Sequence, residues 1–292
     1  ASFDSKMRTA LLECCYIDWS KISPAIFGSM FQSVMNPKER RNLGAHYTSE
    51  TNILKLIKPL FLDELWKEFE SIKDNKNKLP EFHKKLSTLK FLDPACGCGN
   101  FLVITYRELR LLELEVLRSL NKSGQGFLDV REIIWLDVDM MCGIEYEEFP
   151  ARIAEVAMWL IDHQMNMQIS NEFGQYFVRL PLKKSAKIVH GNALQMDWEN
   201  LVPKNELSYI FGNPPFIGKS NQNVEQKKDM NLVFQGISGI GVLDYVSAWY
   251  IKAAQLIQNS KIKVAFVSTN SIAQGEQVGI LWSILFIKYK IK

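Results

Sequence analysis

Two short stretches of this 292-residue sequence combine residue types that chemistry needs. In Phe91-Leu92-Asp93-Pro94-Ala95-Cys96-Gly97-Cys98-Gly99-Asn100, an apolar run ends in an acid, turns through small residues and opens a helix. Gly97 and Gly99 remove side chains, so a ligand can approach the backbone at the carboxyl end of a strand. Glu145 ends the next apolar run at Ile144-Glu145-Tyr146 and is an acid of the kind that accepts both hydroxyls of a ribose. This is not dinucleotide spacing. The acid lies about 50 residues beyond the turn instead of about 20, and Leu102 stands where the fingerprint needs its third glycine. A structural turn with a solvated glutamate is the reading these residues leave open.

The second stretch is Tyr209-Ile210-Phe211-Gly212-Asn213-Pro214-Pro215-Phe216, where an apolar run meets two prolines that fix the backbone and end the strand. Asn213 brings an amide oxygen beside the Pro214 carbonyl, two acceptors that suit one NH₂ group, and Phe216 offers a flat face for stacking. Such a corner fits an aromatic amine, whose nitrogen is a poor nucleophile because its lone pair is delocalised. Two acceptors on its hydrogens favour pyramidal geometry and stabilise positive charge developing on nitrogen, and each preorganised dipole is worth ~3 kcal/mol on the oxyanion-hole scale. A proline-capped strand end with a surface phenylalanine is the plainer alternative.

Parallel strands covered by helices must position these residues. Apolar runs at Leu89 to Asp93, Cys142 to Tyr146, Ile188 to Asn192, Tyr209 to Gly212 and Val264 to Ser268 alternate with helical patterns at Asn100 to Leu120, Phe149 to Gln164 and Leu243 to Gln258. Met7 to Met35 reads as an N-terminal helical cap, broken near Pro24. A stripe of Ile53, Leu54, Ile57, Leu60, Phe61 and Leu65 follows, with Thr48 or Ser49 as N-cap and Glu50 in the first turn. Residues 71 to 88 read as a solvated connection, 121 to 138 and 166 to 186 as insertions, and 217 to 241 as a mobile lid.

The rest of the composition narrows the class. Hydrophobic residues make up 47%, and Gly and Pro are too few for a disordered or collagen-like chain. At this mass about three quarters of the unfolded surface can be buried. The longest uncharged apolar run, Val278 to Ile287, is too short to span a bilayer. With an odd number of cysteines and charges where a leader's apolar stretch would begin, a soluble, reduced, cytoplasmic chain is predicted. A net charge of +3 cannot by itself identify a nucleic-acid binder. Cys96 and Cys98 lack a second Cys/His pair, so no metal is expected; they and Cys14, Cys15 and Cys142 are read as packed. Trp159 and Trp249 are read as core, His46, His163 and His190 as packed or solvated, and Lys219, Lys227 and Lys228 as a solvated cluster that also suits phosphate.

With those residues in view, Asp93 to Asn100 resembles the S-adenosylmethionine (AdoMet) motif of class I methyltransferases, and Asn213-Pro214-Pro215-Phe216 the catalytic motif of amino-type DNA methyltransferases. The order, with Gly44 to Glu50 first, is similar to the gamma class acting on the adenine amino group, and closest to the large enzymes of restriction-modification and phage defence. The resemblance implies an α/β fold, a doubly wound, mainly parallel sheet, with a helical segment over 1–43 and a catalytic domain over 44–292.

Carried over by position, Tyr47 and Thr48 contact the methionine part of AdoMet. Asp93, Ala95, Gly97 and Gly99 form the turn beneath it, Glu145 takes the ribose, and Tyr146 lies beside the cofactor adenine. Asn192 and Ala193 face that ring's amino edge, where many relatives carry Asp. Asn213, Pro214, Pro215 and Phe216 are the catalytic set. Asp244 and Tyr245 match a helix near the base pocket, or equally a helix cap with a core tyrosine. The implied partner is duplex DNA with a flipped adenine, with restriction or defence subunits possible and no membrane. No Pro-Cys dipeptide supplies a cytosine-ring nucleophile. Relatives continue into a closing hairpin and a target-recognition domain, so the resemblance makes this sequence a fragment without its base-reading surface. A protein-glutamine or RNA-base methyltransferase, and a non-catalytic DNA-binding module, are the competing expectations.

Overall fold

The computed structural model describes residues 3–18, 22–34, 48–122, 130–174 and 185–291. Five strands form one parallel sheet: β1 Phe91–Asp93, β2 Met141–Glu145, β3 Lys187–His190, β4 Tyr209–Gly212 and β5 Lys263–Phe266. Their order is β3-β2-β1-β4-β5. Phe91 pairs with Met141 on one side and with Tyr209 on the other, so the winding reverses between β1 and β4. That reversal opens a crevice beyond the carboxyl ends of the strands.

Side chains alternate across the sheet and feed two cores. Phe91, Met141 and Phe211 point into one, Leu92, Cys142 and Ile210 into the other. The first is closed by α3 Glu50–Ile57, α4 Asp63–Ile72, α5 Lys78–Ser87, α6 Asn100–Lys122 and α7 Glu148–Phe173. The second is closed by α8 Val224–Val233, α9 Ser247–Leu256 and α10 Gln277–Ser283. A π-helical turn, Lys58–Leu62, joins α3 to α4 and absorbs Pro59, which has no N–H to give an α-helical ladder.

Several expectations need correction. Residues 71–88 are not a solvated connection, because α5 buries Leu79, Phe82, His83 and Leu86. The 217–241 stretch is not one long polar loop: Asn223 and Gln226 form a reciprocal capping box that starts α8, and Met230, Val233 and Phe234 pack into the second core. α7 runs on to Phe173, well past Gln164 into the expected insertion, and stops at the left-handed Gly174.

Among the described N-terminal residues two stretches are helical, α1 Ser5–Cys14 and α2 Ile26–Val34, and α1 buries none of its residues. Cys14 and Cys15 are therefore exposed instead of packed, and Trp159 stands on an open face of α7 at 38% exposure. Trp249 is core as expected, and His163 and His190 are solvated. His46, Tyr47 and the rest of the 44–47 segment lie outside the described residues.

Candidate active site

Because the strands are parallel, Asp93, Glu145, His190 and Gly212 end on the same rim. The turn after β1 is built to be approached. Gly97 and Gly99 both have left-handed φ, +55° and +84°. A Cβ on Gly97 would meet nothing within 4 Å, so space is open beside it, whereas one on Gly99 would crowd Ala154 at 3.0 Å. The Cys96 amide donates to the Ile144 carbonyl at 3.0 Å, and the Trp249 indole donates to the Pro94 carbonyl at 3.0 Å, so the turn is pinned from both sides.

Two acids face this turn. Asp93 is 1% exposed, and its Oδ1 accepts the Ala95 amide at 3.0 Å. Its Oδ2 is buried with no hydrogen-bond partner. Burial pushes this carboxyl up to about 8, the Ala95 bond pulls the other way, and Glu145 adds a like charge. Glu145 reaches back from β2, accepting the Gly97 amide at 2.8 Å and the Glu147 amide at 3.0 Å; burial raises its carboxyl despite those bonds. Tyr146 is 54% exposed beside it.

The proline corner stands next to this turn in space. Gly212 has φ +150°, and a Cβ there would sit 2.3 Å from Asp93 Oδ1, so only glycine lets β4 pass so close to the acid of β1. Asn213 follows, its NH₂ donating to the Thr48 hydroxyl at 3.0 Å, which ties the start of α3 to the corner. Ser49, not Thr48, occupies the N-cap position, without a side-chain cap bond. Beyond the half-buried Phe216, Asp244 Oδ1 accepts the amides of Ile217 at 2.9 Å and Val246 at 3.1 Å. Asp244 is thus a bracket behind the corner, and burial raises its carboxyl.

On the other flank, Asn192 follows β3 and accepts the Leu194 amide at 2.9 Å, and Ala193 is buried. The structure therefore brings Thr48, Asp93, Ala95, Gly97, Gly99, Glu145, Asn192 and Asn213 to one rim. Sequence reasoning missed Asp229, a buried acid on α8 that touches both Asn192 and Tyr245. The capping-box spacing of Asn223 and Gln226 was the signal for its helix.

The two cysteines of the turn are buried. Burial pushes the Cys96 thiol well up and Cys98 to about 12, so both stay protonated and packed. Among the described residues no group of His, Cys, Asp or Glu is placed to hold an ion, and no helix is long and apolar enough to cross a membrane. Lys219 pairs with Glu276 at 2.8 Å, while Lys227 and Lys228 are exposed.

Comparison with known proteins agrees with this architecture. The chain is 43% identical over 289 residues to DNA methyltransferase A of Bacillus subtilis (strain 168), matching 97% of its own length and 32% of that protein's. A putative type II restriction enzyme and methyltransferase of Methanocaldococcus jannaschii is 24% identical over 167 residues, 48% of this chain and 14% of that protein. The solved type IIL restriction-modification enzyme MmeI in complex with DNA superposes with a TM-score of 0.94 at 63% identity, over 99% of this chain and 39% of that one. The DrdV–DNA complex, at TM-score 0.52 and 19% identity over 91% of this chain and 24% of that one, shares the fold. The chain thus spans about a third of the curated relative and about two fifths of the solved one. A family model described as the MmeI DNA-methyltransferase domain matches residues 69–292, and the chain belongs to that family.

Proposed function

We propose that the chain is the catalytic domain, over 44–292 behind a helical 1–43 segment, of an AdoMet-dependent DNA methyltransferase that modifies the exocyclic amine of adenine within a restriction-modification protein. The observation that carries this is the abutment of Gly212 on Asp93, which sets the amine-gripping corner against the turn that suits AdoMet. The residues fit that cofactor. Asp93 holds a buried oxygen with no partner, the place for a cationic amine, and Gly97 leaves an open floor. Glu145 presents a carboxylate at the ribose position, Tyr146 an exposed ring, and Thr48 a hydroxyl near the corner.

Bound AdoMet supplies a methyl group on a positively charged sulfur. The chain's own residues do the rest. The Asn213 amide oxygen and the Pro214 carbonyl accept the hydrogens of the flipped amine, Pro215 holds the corner rigid, and Phe216 stacks on the base. Thr48 takes a hydrogen bond from the Asn213 NH₂, which orients the amide whose oxygen is the acceptor. No covalent enzyme intermediate is needed. The reading accounts for the DNA-bound solved relative and for a family defined on DNA methyltransferases.

The test is transfer of labelled methyl from AdoMet to duplex DNA by the protein at its full natural length, followed by nucleoside analysis. N6-methyladenine is expected. Label on cytosine, RNA or protein glutamine would overturn the substrate assignment. Asn213→Ala should abolish transfer while AdoMet affinity stays within about threefold of wild type, since the lost amide grips the base and not the cofactor.

A further inference from the structure

One buried acid has no part in the reading above. Asp229 on α8 is 4% exposed, yet both of its oxygens are engaged. Oδ1 accepts the Gln195 side-chain amide at 2.8 Å, and Oδ2 accepts the Asn192 NH₂ at 3.0 Å and the Tyr245 hydroxyl at 2.7 Å. The orientation of Asn192 is fixed independently, because its oxygen accepts the Leu194 amide at 2.9 Å and only its NH₂ is left to face Asp229. Lys252 braces the same turn from α9, donating to the carbonyls of Leu194 at 3.2 Å and Met196. Three donors from two separate loops thus converge on one carboxylate.

We propose that Asp229 is a positioning residue that locks the Asn192 turn and Tyr245 into one register, joining the cofactor-ring side of the site to the base side. The proposal rests on the functional reading above. It explains why position 192 carries Asn where the resemblance leads one to expect Asp: with a carboxylate already at 229, a second one 3.0 Å away would leave two like charges sharing one buried space. The present pair is one acid and one amide. If the acid and the amide trade places, the amide NH₂ at position 229 donates to the carboxylate at position 192. The amide oxygen at 229 still accepts Gln195, and the Tyr245 hydroxyl turns to act as acceptor. Every hydrogen bond of the present arrangement has a counterpart after the exchange.

The experiment is an exchange cycle in the protein at its full natural length, read by AdoMet calorimetry and by kcat and KM for AdoMet. Asn192→Asp and Asp229→Ala should each raise the AdoMet Kd and KM about tenfold or more, the scale of a hydrogen bond to a charged group. The double variant N192D/D229N should return both to within about threefold of wild type, a coupling that independent sites do not show. Wild-type affinity in Asn192→Asp, or a double variant no better than Asn192→Asp alone, would overturn the positioning role. Failure of the wild-type protein itself to bind AdoMet would overturn the functional reading instead, and the proposal with it.

Discussion

Two parts of this molecule bury carboxylates and treat them in opposite ways. Between α6 and α7, Arg110 is fully buried and makes ion pairs with Glu113 at 3.0 Å and Asp162 at 2.9 Å, while Asn166 accepts a further guanidinium N–H at 2.8 Å. The Glu113 Oε1 accepts the amides of Trp135 and Leu136 and bonds to His83, whose ring stacks on Trp135 at 4.2 Å. Burial alone would raise the Glu113 carboxyl, but His83 and Arg110 outweigh it and hold it below the usual range. At the rim, Asp93 is equally buried and has no cation, and it is pushed up to about 8. In the first arrangement Arg110 faces both carboxylates, although its Nε and the Glu113 Oε2, 3.0 Å apart, make no hydrogen bond. In the second, a buried carboxylate oxygen has no hydrogen-bond partner and no cation is paired with it among the described residues, which makes it a candidate ligand site.

The largest effect that tests this contrast is expected at Arg110. Arg110→Met removes the cation from Glu113 and Asp162 together, and stranding buried carboxylates costs about 3–5 kcal/mol. Urea unfolding should show that loss, with AdoMet affinity little changed wherever the protein still folds. A variant as stable as wild type would show that the network is ornamental.

Asp93→Asn should do the reverse. For the wild-type acid the sign follows from its raised value. Between about pH 4 and about pH 8 the folded chain keeps a proton that the unfolded chain has released, so stability from this group falls as pH rises through that window. Asn removes the dependence. Near pH 8 the ligand-free variant should be more stable than wild type, because the amide has no charged form to desolvate. AdoMet affinity should fall about 100-fold, because a neutral amide replaces the counter-ion of an ammonium. Loss of stability near pH 8 would mean that Asp93 already has its partner.

That contrast also separates what the sequence made legible from what it hid. The glycine turn after β1 and the proline corner are local. Each is a strand end followed by residues whose backbone limits are set within a few positions, so Gly97, Gly99 and Pro214 could be read before any contact was known. The five strands appeared as apolar runs for the same reason. The Arg110 network was invisible because its members come from α5, α6, α7 and the turn at Trp135, and a charge inside an apolar helix face has no meaning until its partner is placed. α5 was missed because its lysines masked Leu79, Phe82 and Leu86, which do recur at helical spacing. α8 was missed because polar composition outweighed the cap at Asn223.

A smaller effect is expected at Glu145, which already has donors. Glu145→Gln keeps one acceptor oxygen and sets an NH₂ against the Gly97 or Glu147 amide, so one backbone bond to the side chain is lost and the grip on a ribose weakens. The AdoMet Kd should rise about tenfold. A far larger loss, equal to that of Asp93→Asn, would erase the difference between the acid with backbone donors and the acid without a partner.

The smallest effect is expected from an ion pair with the same chemistry as Arg110 and Glu113 in a different medium. Arg107 on α6 meets Glu50 on α3 at 2.6 Å, closer than Arg110 meets Glu113, but the Glu50 side chain is 42% exposed. Water and salt screen that pair, even though the Arg107 hydrogen bond lowers the Glu50 carboxyl. Glu50→Gln should therefore change unfolding free energy by no more than about 0.5 kcal/mol, and high salt should remove the difference. The shorter pair is the weaker one because stranding a charge is costly only where water cannot reach it. A loss at Glu50 as large as that at Arg110 would show that distance, not burial, decides the matter here.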